Sequence, residues 1–432
     1  MDLAGKRVVV MGLGRFGGGV GAARYAVRQG ADVLVTDTDG ADRLDDSLRQ
    51  LEPLDIETRL GEHREDDFTS ADLVIVNPAV DRQDNRFLRA AEAAGVALGS
   101  EIQLLTERLP NRRRTIGVTG TSGKSTVTAM IGHVLTAALG PDRVHVGGNI
   151  GGSLLERVDR IGRDHWVVLE LSSFMLETLD RDGWSPGVAV VTNIAPNHID
   201  RHGSMEHYVS AKQAILRHQQ AQDTAILGGS VGDWPLVAGV RRRVIDESDY
   251  DIELTLPGRH NRFNAMCALA AGEEIAVGGG NLSSSLADFI GLPHRLQFVT
   301  EFSGVRYFND SKSTTPHSAE LAIGSFPGGS VHAILGGYDK GSDLSGLARL
   351  AGAQCRAVYT IGATGEKIAA SARDGAARVV QCNTLDRAVA AAVAAARQRD
   401  VVLLSPGCAS WDQFENYEKR GDAFVEAVLK NS

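Results

Sequence analysis

The stretch Thr119-Gly120-Thr121-Ser122-Gly123-Lys124-Ser125-Thr126 lies between an apolar run ending at Val118 and a segment in which Val127, Met130, Ile131, Val134 and Leu135 recur at helical spacing. A buried strand, a glycine-rich turn and an amphipathic helix in that order read as a phosphate-binding loop. Glycines let backbone N–H groups close around phosphate oxygens, and the helix N-terminus adds positive potential. In this frame Gly120, Thr121, Ser122, Gly123 and Thr126 line the loop, Lys124 contacts the outer phosphates, and Ser125 is placed to ligate magnesium. The strict G-x-x-x-x-G-K-[ST] pattern would put glycine at 118, where this chain has Val118. A merely structural glycine turn is the competing reading, and the strand and helix on either side weigh against it.

Runs that end on glycine recur on both sides of this loop, as in RVVVMGLG, VHAILGG and AVYTIGAT, and they alternate with helix-period segments. That is the pattern of parallel α/β sheets. At roughly 150 residues per domain, 432 residues predict three domains. The first block opens with a strand from Arg7 to Met11, a glycine turn, an alanine-rich helix and a strand ending at Asp37. It closes on Ser100-Glu101-Ile102-Gln103, a capping box that starts a helix, after which Asn111 to Arg114 reads as a linker. Gly12-Leu13-Gly14-Arg15-Phe16-Gly17 with Asp37 formally fits a dinucleotide fingerprint, and reads as a diphosphate site with the ligand left open, against a purely structural turn.

In the second block Glu170 of LELSSF and His198 of NIAPNHIDRHG both follow strands, so both can converge on the phosphate loop as metal ligands. Either alone would more often be structural. In the third block Asp310 and Lys312 follow a strand from Val305 to Phe308, Lys340 stands in GGYDKG, and SPGCASWDQF follows another strand. Singly these would be solvated surface groups. As a set they resemble a second phosphate or carboxylate clamp.

Composition narrows the classes. Forty-three per cent hydrophobic and 23% charged residues describe a globular protein with ample core. With 45 basic against 54 acidic residues, the net charge of -9 opposes a nucleic-acid partner, and the runs Arg112 to Arg114 and Arg241 to Arg243 read as solvated linker or helix-end charge. Four cysteines without C-x-x-C spacing argue against a zinc site or a disulfide framework and fit a reducing cytosol. No stretch reaches the ~18 apolar residues that a membrane span needs, and the chain runs from Met1 into a strand-like segment with no apolar targeting core. A cytoplasmic monomer with small-molecule substrates, no nucleic acid and no membrane insertion is expected.

The order of motifs resembles the Mur ligase family, and within it the D-glutamate-adding branch. The resemblance is carried by TGTSGKST, GGNIG at 147–151, LELSSF, NHIDRH, GRHN at 258–261, PHR, FNDSKST, GGYDKG and SPGCASWDQFENYEKRG, in order over nearly the whole chain. It implies an α/β protein of three domains. These are a Rossmann-like UDP-substrate domain over 1–110, a central P-loop ATPase-type domain with a mixed or parallel sheet over 111–296, and a Rossmann-like amino-acid-binding domain over 297–432. The implied activity is ATP- and magnesium-dependent ligation of D-glutamate to UDP-N-acetylmuramoyl-L-alanine through an acyl phosphate, in peptidoglycan precursor synthesis.

Carried over by motif position, Lys124 and Ser125 would serve the ATP phosphates, with Ser125, Glu170 and His198 on magnesium. Lys212, fourteen residues after His198, takes the place of a carbamylated lysine that completes the metal site. Gly14, Asp37, Thr38, Asn149 and His198 would meet the UDP-muramoyl substrate. Asn261, Arg295, Asp310 and Lys312 would hold the nucleotide, and Thr314, Lys340, Ser410 and Tyr417 would surround D-glutamate. A free amine with a pKa near ~10.4 beside dications would be repelled, and carbamylation inverts its charge. The chain departs from the commoner family pattern at Asn77-Pro78-Ala79-Val80, at Asp39 where arginine often stands, and at Trp411 and Tyr417. The rivals are another amino-acid ligase of the family, a nicotinamide-dependent dehydrogenase built on GLGRFG, and a nucleotide-binding module without chemistry.

Overall fold

The computed structural model describes residues 2–14, 17–78, 80–82, 84–246, 252, 254–275 and 282–431. Arg15 and Phe16 of the glycine-rich turn, and Ala79 of the Asn77–Val80 run, lie outside these residues.

The first sheet contains β1 (Arg7–Met11), β2 (Asp32–Asp37), β3 (Glu57–Leu60), β4 (Leu73–Val76) and β5 (Ala97–Gly99), all parallel, in the order β3-β2-β1-β4-β5. The second contains β6 (Thr115–Thr119), β7 (Val144–Gly148), β8 (Trp166–Glu170), β9 (Val188–Val191), β10 (Thr224–Gly228) and β11 (Arg241–Ile245), again all parallel, in the order β11-β10-β9-β6-β8-β7. The third contains β12 (Gln297–Phe302), β13 (Val305–Asn309), β14 (Val331–Gly336), β15 (Ala357–Ile361), β16 (Arg378–Asn383) and β17 (Val401–Leu404), ordered β12-β13-β17-β14-β15-β16. There β12 pairs antiparallel with β13 and the other neighbours are parallel.

Helices cover both faces of a parallel sheet, so its strands are apolar along their length instead of alternating. Val8 to Met11 and Val188 to Val191 are accordingly buried at every position. The strand order reverses at β1/β4 in the first sheet and around β6 in the second, and the crevices outside those carboxyl ends are where open α/β sheets take their ligands.

Met1–Asp251 and Asn264–Leu282 form one compact unit, containing the first two sheets, and Ile252–Phe263 with Ser283–Ser432 form another. Among the described residues no helix is long and apolar enough to cross a membrane.

Two charge readings need correction. Arg112 is not a solvated linker residue, since its guanidinium meets the buried Asp223 carboxylate at 2.8 Å and Ser185 O at 2.9 Å. Arg241 to Arg243 open the edge strand β11, with Arg241 at 2.8 Å from Glu274 and Arg243 at 2.6 Å from Glu273. Charge on an edge strand blunts unwanted pairing, and here the helix Arg259–Glu274 supplies the counter-charges.

Candidate active site

The phosphate loop leaves β6 at Thr119 and enters the helix Lys124–Leu139 through Gly123, whose φ is 82°. Gly120 has a φ of 147°, and a Cβ there would lie 2.0 Å from Thr192 Oγ1, so only glycine fits. Side chains from the segment after β9 tie the loop down. Ser122 N donates to Asn193 Oδ1 at 3.0 Å, and Thr192 Oγ1 donates to Ser122 O at 2.7 Å. Thr121 Oγ1 lies 3.0 Å from Ala195 O and 3.2 Å from the Tyr208 hydroxyl. Lys124 Nζ donates back to Thr121 O at 3.0 Å, which folds the ammonium over its own loop. Thr192, Asn193 and Tyr208 were not picked from sequence, because nothing in their spacing marks them as partners of a loop some seventy residues earlier.

Strand register aligns the rest of the site. Val118 on β6 stands beside Glu170 on β8, and Glu170 beside Gly148 on β7. Gly148 has a φ of 88°, and a Cβ there would lie 2.3 Å from Glu170 O, so β7 approaches β8 this closely only with glycine. Asn149, the next residue, donates through N to Glu170 O and through Nδ2 to Glu170 Oε1, both at 2.9 Å. Glu170 is 2% exposed, and its other oxygen, Oε2, is buried without a hydrogen-bond partner. An orphaned buried carboxylate oxygen is costly unless something absent from the protein chain meets it, and a dication suits an oxygen donor. This is the structural observation that fits magnesium.

Lys212, on the helix Met205–Arg217, reaches the same place and is also 2% exposed. Its Nζ donates to Gly120 O at 2.8 Å and to Thr119 Oγ1 at 3.4 Å. Burial, with the nearby Lys124 charge, pulls this ammonium down to about 7, and Glu170 works in the opposite direction. His198 precedes the short helix Ile199–His202 with a φ of 52° and packs its ring against Phe174 and Tyr208. Among the described residues no three His, Cys, Asp or Glu side chains are grouped to hold a metal. Glu170 and His198 therefore need further oxygen donors, of the kind that Ser125, phosphate oxygens or a carboxylated Lys212 would supply.

At the carboxyl ends of β1 and β4, a cleft of about 560 Å³ is lined by Gly12, Gly14, Asp37, Thr38, Asp39 and Asn77, among others. Asp37 is largely engaged by the backbone, with Gly14 N at 3.1 Å from Oδ2 and Asp39 N at 2.9 Å from Oδ1. Asn77 Nδ2 donates to Gly12 O at 3.1 Å, cross-bracing the start of the glycine turn. Asp39 pairs with Arg43 at 3.0 Å. His63 and Phe87, ring to ring at 5.4 Å, add an aromatic wall that no motif announced.

In the other compact unit, Asp310 is buried, with Leu296 N at 3.0 Å from Oδ1 and Ser405 Oγ at 2.7 Å from Oδ2. Burial raises its carboxyl to about 6 against those hydrogen bonds. Arg295 has a buried Nε without a hydrogen-bond partner, and Asn261 Nδ2 donates to Pro257 O at 2.8 Å. Thr314 and Lys340 line one small cavity with Tyr338, Gly407, Cys408 and Ala409, next to the buried Ser410. Lys340 Nζ sits 4.4 Å from the ring centre of Trp411, which is 59% exposed. Tyr417 is placed apart from that cavity, with Lys312 Nζ 5.3 Å from its ring centre and the His294 ring 6.1 Å away.

Three family profiles match the chain: Mur ligase MurD-like, N-terminal domain over residues 6–99; Mur ligase middle domain over 118–230; and Mur ligase, glutamate ligase domain over 294–408. Among similar curated proteins, the UDP-N-acetylmuramoylalanine--D-glutamate ligase of Acidobacterium capsulatum is 39% identical, the match covering 99% of this chain and 97% of that one. The protein of the same name from Roseiflexus sp. is 38% identical over 99% of each chain. Solved structures with this fold include a UDP-N-acetylmuramate-alanine ligase, MurC, from Thermotoga maritima (TM-score 0.62, 20% identity, 99% of this chain and 100% of that one). A MurF ligase from the same organism, in complex with ADP, has a TM-score of 0.57 at 16% identity, over 100% of this chain and 99% of that one.

Proposed function

The chain belongs to the Mur ligase family, as a MurD-type member, and on that premise we propose which of its residues carry the ATP-dependent addition of D-glutamate to UDP-N-acetylmuramoyl-L-alanine in peptidoglycan precursor synthesis. The observation that supports the assignment most is the meeting at one sheet edge of the phosphate loop, the orphaned Glu170 oxygen and the buried Lys212 amine.

The loop from Gly120 to Thr126 takes the phosphates of ATP, its amides and the Lys124 ammonium offsetting charge that builds on the γ-phosphoryl oxygens. Ser125, Glu170 and His198 would hold magnesium beside the loop, where it would supply positive charge against the phosphoryl oxygens. Lys212 joins them as a carbamate. Carbon dioxide adds to the neutral Nζ, one N–C bond forms and one proton is released. A buried amine lowered to about 7 supplies the neutral form that this addition needs. Asn149 then positions the muramoyl substrate from the same strand end that fixes Glu170.

The substrate carboxylate attacks the γ-phosphorus in line, the bond to the bridging oxygen breaks, and ADP leaves an acyl phosphate behind. The neutral amino group of D-glutamate attacks the acyl carbon. The tetrahedral adduct expels inorganic phosphate, and the proton lost from nitrogen passes to solvent.

Gly14, Asp37 and Thr38 are assigned to the UDP moiety, with Asp37 acting mainly as a brace of the glycine turn. Asn261, Arg295, Asp310 and Lys312 are assigned to the nucleotide, and Thr314, Lys340 and Ser410 to D-glutamate. Tyr417, beside Lys312, fits the nucleotide group better than the amino-acid group. We keep the domain division at 1–110, 111–296 and 297–432, a cytoplasmic location and a monomer as parts of the same proposal. The nicotinamide reading of GLGRFG is set aside, because the family is one of ligases.

The test is phosphate release with UDP-N-acetylmuramoyl-L-alanine across a panel of amino acids. Release stimulated by D-glutamate alone is expected. Stimulation by L-alanine, lysine or diaminopimelate in its place would overturn the amino-acid assignment.

A further inference from the structure

Arg420 belongs to none of the groups assigned above, yet it is 1% exposed and among the largest fully buried side chains. It sits on the helix Tyr417–Asn431. Its Nε donates to Ser311 Oγ at 3.0 Å and its Nη2 to Ser311 O at 2.8 Å. Its Nη1 donates to both Cys408 O and Ala409 O at 3.1 Å. Ser311 Oγ in turn donates to Tyr417 O at 2.8 Å, closing the network onto the start of the same helix.

The fork thus joins two turns. One follows β13 and carries Asp310, Lys312 and Thr314. The other follows β17 and carries Ser410 and Trp411. In a planar trans peptide the carbonyl and the N–H point in opposite directions, so drawing Cys408 O and Ala409 O onto the guanidinium turns the Ala409 and Ser410 N–H groups away from it.

Every hydrogen-bond acceptor in this network is neutral, and among the described residues Arg420 forms no ion pair, the Asp412 carboxylate acting on it only from beyond ion-pair distance while accepting from Ala363 N. Burying a guanidinium without an ion-paired carboxylate is costly even after relaxation. Burial accordingly lowers this group to about 10. Joining two turns needs only donors, which a neutral side chain could provide at less cost, so the retained charge calls for a second explanation. The Arg420 network borders the cavity that holds Thr314 and Lys340, through Cys408 and Ala409.

We propose that Arg420 is a positioning residue that locks the turns after β13 and β17 in register and whose charge, offset in the protein only at a distance by Asp412, is matched by a carboxylate of the incoming amino acid. The inference rests on the assignment of Thr314, Lys340 and Ser410 to D-glutamate. It adds a buried contribution to what Lys340 supplies from the surface.

The test compares R420M and R420K with wild type by full kinetics in all three substrates, with thermal melts to establish folding. Wild type is assayed first, and its failure to use D-glutamate would overturn the amino-acid assignment rather than the role of Arg420. Folded R420M is expected to raise the KM for D-glutamate by about tenfold or more, with the KM for ATP changed by less than about threefold. R420K, which keeps the charge and loses the fork, is expected near about a threefold rise. A purely structural role would lower the melting temperature and leave the KM for D-glutamate at the wild-type value, which overturns the proposal. If R420M does not fold, R420Q, which keeps donors for the two turns and removes the charge, decides in its place, and a wild-type KM for D-glutamate in that variant overturns the proposal equally.

Discussion

Lys212 and Glu170 show how a side chain's surroundings determine its chemistry. On sequence Lys212 is an ordinary helical lysine in HYVSAKQAI, and only the resemblance set it apart. In the fold it is buried against Gly120 O, beside a second ammonium and a carboxylate with one unmatched oxygen. Lys212→Ala is expected to lower kcat by about 10² to 10³. A small carboxylic acid such as acetate should restore part of the loss by occupying the vacated place, and full activity without it would contradict the carbamate. The direction of the pH effect follows from the lowered amine. Below about 7 Nζ is protonated and cannot add carbon dioxide, so recovery after bicarbonate is stripped should be slower at about pH 6 than at about pH 8. The reverse order would contradict it. Thr192 and Asn193, which brace the phosphate loop, stayed invisible in the sequence because short polar residues after a strand look alike until the fold shows what they touch.

The helix Glu101–Arg108 shows what a local pattern reveals and what it leaves out. Ser100 caps it as the capping box requires, accepting from Gln103 N at 3.3 Å. The pattern treats Glu101 as one more acid in a first turn, where the helix dipole favours it. Glu101 is instead buried, taking a hydrogen bond of 2.5 Å from Ser153 Oγ, and burial lifts its carboxyl to about 7. Ser153 lies just beyond the GGNIG run that carries Asn149, so this contact joins the element after the first sheet to the loop after β7. A carboxyl raised in the folded state binds more protons there than in the unfolded chain, so its contribution is lost as pH rises from about 4.5 through about 7. The effect amounts to about 3 kcal/mol once both states are ionised. Glu101→Gln keeps an acceptor for Ser153 and removes the titration, so thermal melts should show the variant gaining on wild type between about pH 5 and about pH 8. A constant difference across that range would refute the assignment. The Arg241 to Arg243 run carries the same lesson, because a run of three arginines reads as solvated charge until Glu273 and Glu274 of a distant helix are seen beside it.

Over the chain as a whole, the three α/β sheets were legible because central parallel strands such as β1, β10 and β14 are uninterrupted apolar runs with a glycine at or just after their ends, a signal that survives without knowing what packs on it, whereas polar strands such as β3 and β11 carry no such mark. The strand orders were not legible. They depend on crossovers that put β8 and β9 on either side of β6, and with them Glu170 and the Thr192–Asn193 segment on either side of the phosphate loop. With Lys124 assigned to the triphosphate of ATP, Lys124→Ala is expected to lower turnover by about 10³ or more, as read by steady-state phosphate release, and a wild-type rate would contradict the assignment. The mechanism requires that the γ-phosphoryl group pass to the carboxylate of the muramoyl substrate before the amino acid attacks. Substrate labelled with oxygen-18 in that carboxylate tests this requirement directly, by mass spectrometry of the phosphate released in the presence of D-glutamate. One labelled oxygen in each phosphate is the predicted result, and unlabelled phosphate accompanying amide formation would contradict the mechanism.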